Sequence, residues 1–164
     1  MLPDQRLDQI TLDDIQRMIE RNLITRDELY ALADVLEDEI LGEICRRLAV
    51  DCGGHASDLQ QIAMTAGDQD GEAFEHDASN PIASRAKAIM ARMLERGGGE
   101  HEVVDEARAA ESALKHDYDE VIASIPNAMV GATLQRQRKD VAFGESVLDK
   151  VRPSQSEDDD RDHR

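Results

Sequence analysis

Aromatic residues are almost missing from this chain. Two Tyr, two Phe and no Trp occur in 164 residues. Strands draw on aromatic and β-branched side chains, so the composition argues against a β-sandwich or barrel. Proline is scarce too, at four, which leaves room for long uninterrupted helices. Positive charge is short: 19 Lys and Arg face 36 Asp and Glu, for a formal net charge of −17. Nucleic-acid binding rests on cations that neutralise phosphates, and this balance argues against it. No apolar run approaches the roughly 20 residues that span a bilayer. Met1-Leu2-Pro3-Asp4 opens no apolar segment of the signal-peptide type. The expectation is a soluble, cytoplasmic protein. Gly-rich phosphate loops, nucleophile elbows and Cys-x-x-Cys pairs are also absent from the sequence. The two cysteines, Cys45 and Cys52, stand seven apart in one predicted helix, about 10 Å along its axis at ~1.5 Å per residue. No disulfide spans that gap, so both are expected as reduced thiols.

What the chain does have is helical periodicity. Residues 1–10 read as a polar lead-in. Thr11-Leu12-Asp13-Asp14 resembles a helix start, with a Thr cap and acids in the first turn. Leu12, Ile15, Ile19, Leu23, Leu29 or Tyr30, and Ala33 follow at helical spacing, predicting a helix over about 11–35. A capping-box pattern at Thr25-Arg26-Asp27-Glu28 allows a break near Ile24. The second helix is predicted at about 38–66, with Leu41, Ile44, Cys45, Leu48, Asp51, Cys52, His55, Leu59 and Ile62 in its stripe. Gly53-Gly54 sits inside it and marks a kink or a close helix approach. Residues 67–80 form a Gly- and acid-rich connection. A short helix is predicted at about 81–96, with Ile82, Ala86, Ile89, Met90 and Met93 as its apolar positions. Val104, Ala107, Glu111, Leu114, Tyr118 and Val121 predict a helix over about 101–124. Val130, Leu134, Gln137, Val141, Gly144, Leu148 and Val151 predict another over about 127–150, restarted after Pro126. The last residues, 152–164, carry no apolar side chain and are expected to be a disordered tail. The bundle proper thus covers 11–151.

Four long helices, paired by two tight turns and joined by one long link, give an all-α four-helix bundle. Two hairpins with one crossover is the ferritin-like way to wire it. Particular segments point the same way. RMIERNLITRDELYALADVLEDEILGEICRRLA carries an aromatic late in the first helix, Tyr30, and a short acidic turn at Leu36-Glu37-Asp38. ERGGGEHEVVDEARAAESALKHDYDEV carries a Gly-rich break, then an acidic stretch that sets Glu111 seven residues before Tyr118. Ile125-Pro126-Asn127 starts the final helix. Over about residues 12–150 this order resembles a bacterial ferritin-like family of unassigned function, distantly related to rubrerythrin and bacterioferritin. The resemblance implies a bundle whose better-known relatives hold a di-iron centre. This chain departs from them: none of its five histidines has a Glu three residues earlier, so the Glu-x-x-His pair of such sites is missing.

The residual metal constellation is Asp51, His55, Glu111 and Asp140. Asp51 and His55 stand at i and i+4 on one helix face. Glu111 lies between Ala107 and Leu114, and Asp140 adjoins Val141. Carboxylates and a neutral imidazole in a bundle interior suit iron, manganese or zinc. In the alternative, Asp51 pairs with His55, Glu111 meets Lys115 or an Arg, Asp140 faces water, and no metal is bound. Tyr30 and Tyr118 are redox candidates beside a metal, and otherwise core residues with bonded hydroxyls. Asp68-Gln69-Asp70-Gly71 resembles the opening of a calcium loop but lacks its third ligand. Glu72 and His76 form a further i, i+4 pair. Three functions follow as expectations: a ferritin-like bundle binding iron or manganese for metal handling or stress defence; a non-enzymatic interaction scaffold of the same fold; and a helix-turn-helix regulator built on Thr25–Leu36, which the net charge disfavours. A homo-oligomer and a protein partner stay open at this point.

Overall fold

The computed structural model describes residues 7–66 and 99–151, and every regular element among them is an α-helix. α1 spans Gln9–Val35, α2 Glu39–Ala66, α3 Glu100–Ser124 and α4 Ala128–Val151. The predicted short helix at 81–96, the 67–80 loop with its Asp68 and His76 motifs, and the 152–164 tail lie outside the described residues.

Local chemistry sets the boundaries. Asp8, not Thr11, caps α1: its Oδ1 accepts from Thr11 N at 2.7 Å, while Thr11 itself is buried. An ionised acceptor satisfies an otherwise orphaned N–H at the positive end of the helix. α1 then runs unbroken through Ile24. No turn separates Thr25 from the preceding helix, so the break that the capping-box pattern allows near Ile24 does not form. Asp38 caps α2, accepting from Ile40 N at 2.8 Å and Leu41 N at 3.1 Å. α3 ends at Ser124, two residues before Pro126, whose ring disfavours helical backbone at Ile125. Asn127 starts α4, its Oδ1 accepting from Met129 N and Val130 N at 3.0 Å each.

Contacts between helices fix their directions. Arg17 of α1 meets Asp117 and Glu120 of α3 at 3.2 and 2.8 Å, and Asn22 meets Tyr118. At the other end, Glu100 Oε1 accepts from the N–H groups of Glu37 and Asp38 at 2.7 Å each. Numbers rise along α1 as they fall along α3, so the two are antiparallel. Tyr118 with Gln137 and Lys115 with Glu145 make α3 and α4 antiparallel. Leu48 beside Gly144 and His55 beside Asp140 do the same for α2 and α4. The helices occupy a square with sides α1–α2, α1–α3, α3–α4 and α2–α4, and the α2–α4 side is the most sparsely packed. α2 and α3 therefore point the same way at diagonal corners, and residues 67–98 link opposite ends of the bundle.

The core follows the predicted stripes. Ile15, Ile19, Leu29, Leu59, Leu114, Leu134 and Leu148 are all essentially inaccessible. Each such side chain contributes about 1.5–3 kcal/mol on burial. Of the pair left open in α1, Leu29 is the core residue, while Tyr30 is exposed. α2 continues through Gly53-Gly54 as helix. A Cβ on Gly53 would meet only Arg26 Cδ, at 3.5 Å, and one on Gly54 would meet nothing within 4 Å. The expected close approach is found instead at Gly144.

Candidate functional site in the bundle interior

The interior holds a run of polar side chains, one or more from each helix. Asn22 of α1, His55 of α2, Glu111 and Tyr118 of α3, and Gln137 of α4 are all buried. Each replaces an apolar residue at a stripe position, so each must find a partner inside or bear a desolvation cost. Asn22 Nδ2 donates to Met18 O at 2.8 Å and to the Tyr118 hydroxyl at 2.9 Å. Tyr118 donates onward to Gln137 Oε1 at 2.8 Å. Gln137 Nε2 donates to the backbone carbonyl of His55 at 3.2 Å. One chain of hydrogen bonds thus crosses α1, α3, α4 and α2 in turn. Tyr118 takes the core role, and burial pushes its phenol well above the usual range.

His55 leaves this chain through its side chain. Its Nε2 lies 3.2 Å from Asp140 Oδ2, whose side chain is 59% exposed. The pair runs from the core to the surface on the α2–α4 side. The other ring nitrogen, Nδ1, has no hydrogen-bond partner, and neither has Asn22 Oδ1.

Glu111 sits apart from that pair. Its carboxyl faces Cys52 Sγ, which donates to Oε1 at 3.9 Å. Burial, reinforced by the carboxylates of Asp51 and Glu145, pushes it up from the ordinary 4.5 to about 8. It is therefore mostly protonated at neutral pH. The same burial, with Glu111 alongside, raises both thiols, Cys45 to about 11 and Cys52 well above its ordinary value. Both cysteines are free and buried, as expected of reduced thiols.

The structure thus brings two of the four predicted site residues together, His55 and Asp140. Asp51 is exposed on the outer side of α2 and acts on Glu111 only through its charge. The alternative pairings do not form either: His55 takes Asp140 rather than Asp51, and Lys115 Nζ lies 2.6 Å from Glu145 rather than pairing with Glu111. Among the described residues, no three His, Cys, Asp or Glu side chains converge as a metal site. No described helix is long and apolar enough to cross a membrane.

Asn22 is the functional-looking residue that sequence periodicity passes over. Its signal was its place three residues after Ile19 and four after Met18, on the buried face of α1. Where α2 and α4 part at one end, a cleft of about 460 Å³ opens, lined by residues including Ile62, Met129, Val130, Asp58 and Arg136. None of the predicted site residues lines it. No family model matches the chain, and no curated protein matches it.

Proposed function

We propose that the chain is a non-enzymatic helical bundle that works by contact with other proteins, a ferritin-like architecture whose interior polar groups serve structure. The parallel step from α2 to α3, with one long link between hairpins, supports the ferritin-like wiring. The observation that carries the functional reading is the Asn22–Tyr118–Gln137–His55 chain. Beside His55 and Glu111, the interior polar positions hold amides and a phenol engaged with one another. Glu111 is held largely protonated, which is the weaker form for binding a cation. Apart from Asn22 Oδ1 and His55 Nδ1, the groups of this network have partners, and hydrogen bonds between core side chains help fix how the helices pair.

Metal analysis tests this directly. Full-length protein purified without chelator should carry no stoichiometric iron, manganese or zinc, and should stay empty after titration with iron(II) or manganese(II). One bound ion per chain overturns the scaffold reading.

A second reading keeps one observation in its favour. His55 offers an unpartnered Nδ1 beside an acid, Asp140. A bundle that handles iron or manganese through this pair would lose metal uptake on His55→Ala while keeping its helix content.

A further inference from the structure

We propose that the back of α1, around Ala31, is a docking surface, and that its occupant is the segment 82–93 of this same chain. The proposal stands whether or not the interior takes up a metal.

Burial along α1 marks the surface. Asn22 faces the core and is inaccessible. Ala31 follows it by nine residues, about two and a half turns, and so points the opposite way. Ala31 is nonetheless only 8% exposed. α1 is a corner of the square, and its neighbours α2 and α3 both lie on its core side. Eighteen residues before Ala31, on the same line of the helix, Asp13 is exposed, and so is Glu20 beside that line. In the second half of α1, Ile24 and Glu28 are half-buried, and burial raises the Glu28 carboxyl. The back of α1 is therefore open at its start and covered towards its end.

Connectivity and chemistry name the occupant. Glu100, the first residue of α3, accepts from Glu37 N and Asp38 N just past the end of α1. Ala31 stands four residues, about 6 Å, before that end. Gly97-Gly98-Gly99 holds Arg96 within about 14 Å of Glu100, which keeps the residues before it within reach of Ala31. Residues 1–6 span at most about 21 Å and leave from the other pole, some 33 Å from Ala31. Residues 152–164 have no apolar side chain and carry five acids. Ile82, Ala86, Ile89 and Met93, by contrast, repeat at helical spacing as an apolar stripe suited to Ile24 and Ala31. Arg85, Arg92 and Arg96 fall along one edge of that stripe. Asp27, Glu28 and Asp34 border Ala31 at three and four residues. Within a chain of net charge −17, residues 81–96 hold four Lys and Arg against one acid, so the charges of segment and surface are complementary.

Trypsin digestion of the full chain tests the docking, because Arg85, Lys87, Arg92 and Arg96 are its cleavage sites. Cleavage of a docked segment follows the population of its open form, so these sites should be cut at least roughly tenfold faster in Ala31→Arg than in the native protein. Asp13→Arg, on the same line where α1 is open, should leave the native rate unchanged. Equal rates in the native protein and Ala31→Arg overturn the proposal. An arginine at this position can also weaken α1 itself, so disulfide trapping supplies a second measurement. Ala31→Cys is combined in turn with Ala86→Cys, Ile89→Cys and Met93→Cys, while the native thiols stay buried. Mild oxidation should close an intramolecular bond in at least one pair, and in none when Asp13→Cys replaces Ala31→Cys. Linkage between two copies overturns the proposal, because the occupant is then another molecule. Absence of linkage in every pair overturns it as well.

Discussion

Glu111 and Gly144 share one space in the core: the carboxyl of the first occupies the volume a side chain on the second would need. Gly144→Ala should therefore destabilise the protein, although alanine is the better helix former. Overpacking a core costs about 1–3 kcal/mol, against a propensity gain of about 1. We expect a net loss of up to roughly 2 kcal/mol in urea denaturation. A stabilised variant would mean that Leu48 and Glu111 move aside freely.

Glu111→Gln should stabilise the bundle, increasingly so as pH rises. Burial lifts this acid from 4.5 to about 8. Below about pH 4.5 the group is protonated in both folded and unfolded chains and contributes nothing. Between 4.5 and 8 only the unfolded chain sheds the proton, so wild-type stability falls as pH climbs, and above 8 the full penalty stays. Linkage puts the gain for the Gln variant at roughly 2–4 kcal/mol by pH 8. Paired urea titrations at pH 5 and pH 8 check it, the difference between variants being small at the first and large at the second.

Tyr118→Phe should cost about 1–3 kcal/mol with helix content unchanged. The change leaves Gln137 Oε1 buried without its donor, which carries the desolvation penalty of an unmade hydrogen bond. Asn22 keeps its bond to Met18 O, so the loss falls mainly on the α3–α4 contact. Thermal denaturation followed by circular dichroism measures it.

His55→Leu should be close to neutral or stabilising. The imidazole is buried, yet Nδ1 has no partner and Nε2 meets an acid that is itself well hydrated. Leucine of similar size removes an unsatisfied polar atom. Gln137 bonds the His55 backbone carbonyl, which the substitution leaves in place. A loss above about 2 kcal/mol would show that the His55–Asp140 pair carries more than a surface ion pair normally does.

Periodicity located all four described helices to within a few residues because burial of one stripe dominates each of them. Glu111, Tyr118 and Gln137 were legible as core positions for the same reason. The misplacements come from the edges of stripes. Asp51 precedes Cys52 by one residue, about 100° around the helix, which is enough to carry it from core to solvent. Asn22 was hidden because a polar residue leaves a gap in an apolar pattern. The His55–Asp140 and Glu111–Gly144 pairings depend on the register between helices, and no single stripe encodes that register.

The parallel step from α2 to α3 also has a mechanical meaning. An up-down-up-down bundle starts and ends at the same pole, so tension on its chain ends peels the outer helices apart from that pole. Here α1 begins at one pole and α4 finishes at the other, two diagonal helices of 27 and 24 residues pointing the same way. Force applied at Gln9 and Val151 acts along some 36–40 Å of helix axis. It loads the interhelical contacts in shear, many at once, rather than opening them in sequence.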